Sequence, residues 1–548
     1  MRDRLAAAGS ALGRVATTPA ILRAVLAWML GWAAEWAWLV ALSVFAYAIG
    51  GVGLVGVVGL VRSLPAGVLA PALSSVADRW PQQRVLLAVH AGRAVLVALV
   101  AVAAAASWHP AFIVGIAALD GLLAVLHRPS HMAMMPALAR SPEDLVAANV
   151  ASGTLENVGT LVGPVIGGIL VAVARPLGFA VPAAMFAVAA LLVLGVGAGR
   201  AVRRSRPAGA IELMLGGLRA ARAYPHAGLM LGLFGLQTLV RGALGVLLVV
   251  LAIEIIGIGE EGVGYLTAAI GAGGLVGALA ALGLVGRRRL APPILLGLLL
   301  WGLPIVVIGL APSLAVALIA LAVLGAGNAV LDIAGFSQLQ RIVPNAVRGR
   351  IFGLLEANVM LTVGLGAILA PGLIGVLGRQ GALVLTGLVL PGAALLAWRW
   401  LRSSDERAVV PERELRLLRG VPMFAALPMT IVEDLAAQLT SRTFAAGEPI
   451  FAAGEAGDTF HIISAGSATV DVPDGARRAM AAGESFGEIA LLRDVPRTAT
   501  VTAADQMETL VLDRDTFLGA ICGDRFSMQA AEGVVRHRLD RGRPSAPG

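Results

Sequence analysis

Apolar runs long enough to cross a bilayer recur from Ile21 to Leu401, and this constrains the chain more than any other feature. In lipid every backbone N–H and C=O must find its partner within the protein, so spanning segments are helices or closed barrels. These runs are continuous rather than alternating, which selects helices. Hydropathy windows of about 19 residues predict about twelve spans, at 21–48, 53–77, 86–106, 110–134, 146–174, 178–198, 227–256, 262–286, 291–311, 314–338, 351–377 and 381–401. Only 14% of the residues are charged and 58% are hydrophobic, whereas a soluble chain carries about a quarter charged residues. The first residues, MRDRLAAAGSALGR, lead into a full-length span without a clear cleavage site, so no signal peptide is expected. One cysteine, Cys522, excludes an intrachain disulfide.

The charge is unevenly placed. A pI near 10.9 could point to nucleic acid, but residues 411–548 hold 14 Arg against 19 acids, a net of −5, and the positive excess lies in residues 1–410. There it follows the spans. Arg2, Arg4 and Arg14 precede span one, and Arg200, Arg203, Arg204 and Arg206 follow span six. Arg287, Arg288 and Arg289 follow span eight, Arg348 and Arg350 follow span ten, and Arg402 and Arg407 follow span twelve. The intervening loops hold little beyond Arg175 and Arg379. The positive-inside rule therefore puts both termini in the cytoplasm of an inner-membrane protein, with no nucleic-acid partner expected. Six spans, a basic loop and six more make a two-halves plan, as in transporters built from repeats.

Two motifs sharpen that plan. Between spans two and three, Ser74-Ser75-Val76-Ala77-Asp78-Arg79-Trp80-Pro81-Gln82-Gln83-Arg84 resembles the loop signature of the major facilitator superfamily. Asp78 and Arg79 match it, and Arg84 supplies a basic charge one position late. The resemblance implies that Asp78, Arg79 and Arg84 form a gating loop that latches the cytoplasmic face; a solvated turn is the plainer reading. In span five, Gly159-Thr160-Leu161-Val162-Gly163-Pro164-Val165-Ile166-Gly167-Gly168 resembles the superfamily's antiporter motif at every specified position, through Gly159, Gly163, Pro164, Gly167 and Gly168. The resemblance implies an exporter; ordinary small-residue helix packing is the alternative. Ala147-Ala148-Asn149 and Arg348-Gly349-Arg350-Ile351-Phe352-Gly353 look like the enterobactin-exporter-like branch, and the resemblance covers roughly residues 15–402.

Ionisable residues inside spans are costly and are functional candidates by default. Glu35, Asp120, Glu156, Arg93 and Arg241 are the transport and coupling candidates, with Glu35 and Asp120 first because they sit near mid-span; Arg62, Glu254, Asp332 and Glu356 complete the set. A carboxylate facing a central cavity can carry a coupling proton. Each can instead be a structural ion pair, for example with Arg93 or Arg241. Trp32, Trp36 and Trp38 are placed to contact an amphipathic substrate, to pack, or to meet lipid.

Beyond Arg402 the composition changes. A linker and a largely helical stretch (about Pro411–Leu439) lead into short strands at Thr443–Phe451, Thr459–Ser464, Ala468–Val472 and Glu508–Asp513, punctuated by glycines. This reads as a β-roll or jelly-roll. Within it, Phe486-Gly487-Glu488-Ile489-Ala490-Leu491-Leu492-Arg493-Asp494-Val495-Pro496-Arg497-Thr498-Ala499 resembles the phosphate-binding cassette of cyclic-nucleotide-binding domains without a gap. A cyclic phosphodiester needs a fixed positive charge and converging donors. Arg497 supplies the charge, and backbone N–H groups around Gly487, Ile489 and Ala490 supply the donors. The resemblance implies that Glu488 accepts from the ribose 2′-hydroxyl and that Thr498 bears on the base, with cAMP slightly favoured over cGMP. A final helix, about Phe526–Arg541, is expected to cover the base.

The expectation is thus an α-helical polytopic membrane protein with a C-terminal cytoplasmic β-roll. Residues 1–402 form the transporter domain, with halves at about 15–200 and 225–402 and a cytoplasmic loop at about 200–226. Residues 403–420 form a linker, 421–541 the nucleotide domain and 542–548 a disordered tail. The expected function is proton-coupled export of a small molecule, modulated by cAMP or cGMP as regulatory ligand, without a metal or other cofactor. The alternatives are a transporter whose nucleotide domain is only structural, and a tethered receptor without transport. No nucleophile–base set or metal-ligand spacing points to an enzyme.

Overall fold

The structure, a computed structural model, describes residues 15, 17–77, 79–139, 142–196, 210–281, 289–343, 345–407, 412–425, 427, 429–472, 477–522 and 531–536. It comprises two compact units, Met1–Ala408 and Val409–Gly548.

The first unit is helical. Its elements are α1 (Pro19–Ala77), α2 (Gln82–Ala105), α3 (Pro110–Leu138), α4 (Pro142–Val173), α5 (Leu177–Leu194) and α6 (Ala210–Ala223). Then come α7 (Pro225–Val250), which continues as a π turn over Leu251–Ile255, α8 (Glu260–Ala281), α9 (Ala291–Leu310), α10 (Leu314–Ile342) and α11 (Asn345–Arg407). Among the described residues, ten helices are long and apolar enough to cross a membrane. Proline opens α3, α7 and α9, where its missing N–H costs nothing. The two longest helices are not continuous. α1 is interrupted at Gly50–Gly51, where Gly51 has φ 61 and ψ −159, and α11 at Gly378, with φ 71 and ψ 175. Both glycines adopt backbone angles that a Cβ would strain.

The basic loop expected at about 200–226 needs correction, because from Ala210 to Ala223 it is helix α6. Its glycine face lies against α11: a Cβ on Gly217 would approach Arg350 O to 2.7 Å. The expected basic residues Arg200, Arg203, Arg204 and Arg206 lie outside the described residues, as do Arg287 and Arg288.

The helices pack as related pairs, α1 on α4 in the first half and α7 on α11 in the second, and α4 also packs against α8 across the halves. The glycines of α4 explain the closeness. A Cβ on Gly159 would sit 3.0 Å from Ala33 N and Met29 O of α1, and at Gly163 and Gly167 the carbonyls of Ala33 and Ala37 leave still less room. Gly168 points the other way, where a Cβ would lie 2.9 Å from Gly264 Cα of α8. The glycine motif thus seats α4 between the two halves.

The second unit opens with α12 (Glu412–Gly420), α13 (Pro422–Ala425) and α14 (Met429–Gln438). The strands follow: β1 (Thr440–Phe444), β2 (Pro449–Phe451), β3 (Thr459–Ala465), β4 (Ser467–Asp471), β5 (Arg478–Ala481), β6 (Ser485–Phe486), β7 (Thr500–Ala503) and β8 (Met507–Asp513). α15 (Glu488–Arg493) lies between β6 and β7, and α16 (Arg514–Cys522) follows β8. They form two antiparallel four-stranded sheets, β1-β8-β3-β6 and β2-β7-β4-β5. The strand expected across Thr443–Phe451 is two strands in different sheets, because Gly447 turns the chain at φ 81. Strands β5, β6 and β7, two to four residues long, carry too short an alternation to read from sequence. The apolar core joins Phe424, Phe460, Leu512 and Phe517. Of the expected terminal helix, residues 531–536 are helical and the rest lies outside the described residues.

Candidate functional sites

The nucleotide cassette is built on a sharp turn. Gly487 follows β6 at φ 97 and starts α15. A Cβ there would meet Arg497 Nη1 at 2.7 Å and Thr459 O at 2.8 Å, so this position needs glycine both for its backbone angles and for the guanidinium beside it. Arg497 is buried, with Nη1 donating to Gly487 O at 3.1 Å and Nη2 to Thr459 O at 2.8 Å and Thr459 Oγ1 at 3.0 Å. Its Cζ lies 4.0 Å from the centre of the Phe451 ring. Its Nε has no hydrogen-bond partner, and Nη1 makes one bond with its two hydrogens, so two donors of a buried, always-charged fork remain available. Glu488 is fully buried, one residue from the carbonyl that Arg497 grips, which puts the two on one side of the roll. Ala490 is buried beneath them, Ile489 is half-buried and Thr498 is exposed. Burial pushes the Arg497 pKa down, against the pull of Asp458, Glu488 and Glu455.

One residue of this site escaped the sequence reading. His461 on β3 stacks on Phe486 at 5.0 Å, and its Nε2 lies 3.0 Å from the Thr459 Oγ1 that accepts from Arg497. Its Nδ1 lies 3.3 Å from Thr509 Oγ1. Burial, then the Arg497 charge, lowers its pKa to about 3, so it is neutral. No local pattern marks it, because it occupies an ordinary inward strand position.

The first unit encloses a cavity of about 1750 Å³ whose wall includes Trp32, Trp36, Glu156, Arg241, Asp332 and Glu356. Glu35 also lines it, whereas Asp120 is fully buried away from it, and neither stands free. Asp120 is buried and accepts from Arg93 Nε at 2.7 Å, Arg62 Nε at 3.2 Å and Trp38 Nε1 at 3.0 Å. Glu35 is ion-paired to both Arg62 and Arg93. The result is a quartet of two acids and two arginines that ties α1, α2 and α3 together, with Arg93 packed 4.3 Å from the Phe186 ring of α5. Of the two readings of these residues, this geometry is that of the ion pair.

Glu156 is paired with Arg128. Arg128 and Arg241 each lie 5.8 Å from an indole centre, over Trp32 and Trp36 respectively. Asp332 accepts from Asn328 Nδ2 at 2.9 Å. Arg79, at the end of α1, is exposed and on the cavity wall, as is Arg350 near the start of α11. Arg84 is exposed on α2, and Asp78 lies outside the described residues. At the far ends of these helices Glu254 bonds both Tyr47 of α1 and Arg379 of α11, joining the two halves there. The cavity therefore reaches the Arg79 end of the bundle, while the Tyr47 end is tied.

Residues 441–522 match the cyclic nucleotide-binding domain family, and residues 230–444 match the Major Facilitator Superfamily. Among curated relatives, a cAMP-dependent protein kinase regulatory subunit of Yarrowia lipolytica is 37% identical over 102 residues, 18% of this chain and 27% of the relative. A cyclic nucleotide-gated potassium channel of Mesorhizobium japonicum is 32% identical over 139 residues, 25% of this chain and 38% of the relative. The chain thus spans only 27% and 38% of the lengths of these relatives. Among solved structures, the regulatory domain of Toxoplasma gondii PKA with cAMP is 24% identical, covering 25% of this chain and 52% of that one, with a TM-score of 0.22. The chain carries a Major Facilitator Superfamily domain joined to a C-terminal cyclic nucleotide-binding domain.

Proposed function

We propose that the chain is a proton-coupled exporter of small molecules, of the enterobactin-exporter-like branch, whose cycle is tuned by a cyclic nucleotide. In this reading the ten helices contribute twelve spans, the broken α1 and α11 counting twice. The observation that carries it is the buried Arg497, gripped at Gly487 O beside buried Glu488 and with its Nε unpartnered. A cyclic phosphodiester completes that fork, and Glu488 takes the ribose hydroxyl. The relatives include both a cAMP-dependent regulatory subunit and a cGMP-dependent protein kinase, and either nucleotide suits this reading. Export is supported by the glycine motif of α4, which lies at the junction of the halves where rocking must occur. In this reading the transporter domain runs to residue 402 and the nucleotide domain from 421, with the division between Ala408 and Val409 inside the segment that joins them.

Regulation requires the nucleotide to bind the two transporter states with different affinity. Couplings of about 1–3 kcal/mol, or about 5–150-fold, are usual, which makes the nucleotide a modulator; a complete switch needs about 5.5 kcal/mol. The test is the distribution between the two openings, followed by paired spin labels on the full chain with and without cAMP or cGMP. A nucleotide-dependent shift that vanishes in Arg497→Ala supports regulation. Binding without any shift favours a structural domain. A full chain that never changes its opening favours a receptor without transport.

A further inference from the structure

Behind the cavity wall sits a cluster that neither motif accounts for. His127 and His131 of α3 and His90 of α2 are 4%, 1% and 1% exposed. His131 stacks on Trp28 of α1 at 4.1 Å and 16°, His127 lies 4.6 Å from the same indole, and His90 meets His127 edge-on at 4.9 Å. His131 is satisfied, its Nε2 lying 3.0 Å from Ser152 Oγ of α4. The other two are not: His127 Nε2 and His90 Nδ1 are buried with no hydrogen-bond partner. Of the three, only His127 lines the cavity.

What covers the unpaired nitrogen of His127 is bare backbone. A Cβ placed on Gly31 of α1 would lie 2.9 Å from His127 Nε2 and 2.8 Å from His90 Cε1. α1 is thus seated over the two imidazole edges through a glycine. An unpaired buried ring nitrogen is costly relative to a satisfied one, a cost that a move of α1 would relieve by admitting water. The three rings do not converge as metal ligands, and among the described residues no group of three His, Cys, Asp or Glu does.

Resting on the reading of a proton-driven exporter, we propose that the coupling proton is taken up at His127 Nε2, with His90 beside it, when α1 lifts Gly31 from the imidazole edge. The groups around this site are Trp28 and Trp32 from α1, His90 and Arg93 from α2, Arg128 and His131 on α3, Ser152 and Glu156 from α4, and Phe186 from α5. The nearest fixed charges are therefore Arg93 and Arg128, both already held by carboxylates. A proton on His127 adds a third positive charge between them. It weakens the hold of Arg93 on the quartet and of Arg128 on Glu156, the links between α1, α2, α3 and α4. The proton thus acts on the ties of the first half, which Glu35 and Asp120 make with Arg62 and Arg93.

The test uses the full chain in nanodiscs with Cys522→Ser, Ala106→Cys and Ala311→Cys, placing spin labels on the loops after α2 and α9. The wild-type background should change its distance distribution between about pH 5 and 8, the window of imidazole titration. His127→Gln should lose that change while keeping the wild-type melting temperature. If His127→Gln keeps the pH transition, the proposal is overturned and proton coupling stands on another group. If the unsubstituted background shows no pH transition, proton coupling itself fails. A second measurement needs no variant: ¹⁵N-histidine NMR of the wild-type chain should show one cluster imidazole charging in this window, and three neutral imidazoles throughout would also overturn it.

Discussion

Replacing Arg497 with alanine tests the nucleotide site at its strongest point. The guanidinium is held by three hydrogen bonds to Thr459 and Gly487 and sits over the Phe451 ring, so it is fixed before any ligand arrives. Two charge-assisted bonds to a phosphodiester are worth about 1.5–3 kcal/mol each. Their loss totals about 3–6 kcal/mol, or about 10²–10⁴ in Kd. Calorimetric titration of the purified full chain with cAMP and cGMP measures this directly. Arg497→Ala also leaves the Thr459 and Gly487 carbonyls without their donor, so a melting curve must accompany it. Arg497→Lys separates the effects: it keeps the charge and loses the planar fork, and should fall between wild type and alanine. A folded Arg497→Ala protein that loses less than about tenfold, about 1.4 kcal/mol, would refute the assignment of Arg497 as the phosphate anchor.

Three further outcomes follow from the packing. Asp120→Asn leaves Arg93 short of a counter-charge at a site with no exposure, and should destabilise the detergent-solubilised chain by about 3–5 kcal/mol; thermal unfolding reads this, and the double change Arg93→Met with Asp120→Leu should recover much of it. Gly163→Leu forces a side chain into the Ala33 backbone of α1 and should cost about 1–3 kcal/mol or more in the same assay, while Gly153→Leu, where a Cβ meets nothing within 4 Å, should be neutral. His461 has a folded pKa of about 3 against an ordinary 6.5, so the unfolded chain binds the proton first. Its contribution is present above pH 6.5 and is lost as the pH falls towards 3, at up to about 1.4 kcal/mol per pH unit; His461→Phe should remove that part of the acid sensitivity, and an unchanged pH profile of β-roll melting would contradict the burial argument.

Much of this protein was legible before any coordinates. Length and continuity of apolar runs dictate helices in lipid, and Gly50–Gly51 and Gly378 fall where the hydropathy reading separates its spans, because only glycine takes the backbone angles found there. The cassette was readable because its residues are adjacent in sequence and the turn at Gly487 brings them together locally. The long reach of Arg497 back to Thr459, 38 residues earlier, came only with the sheet. The quartet likewise joins residues from three helices. Sequence could nominate Glu35, Arg62, Arg93 and Asp120 as costly in a membrane, but whether a buried charge is free or paired depends on what the fold places within about 4 Å of it. The histidine cluster is the clearest case. His127 and His131 stand four apart on one face of α3, but nothing along the chain joins them to His90, and only packing against Trp28 and Gly31 makes them one site. The chain order thus determined the elements and the local turn chemistry, and the tertiary structure decided which charges meet, since pairing depends on distance in space and not along the chain.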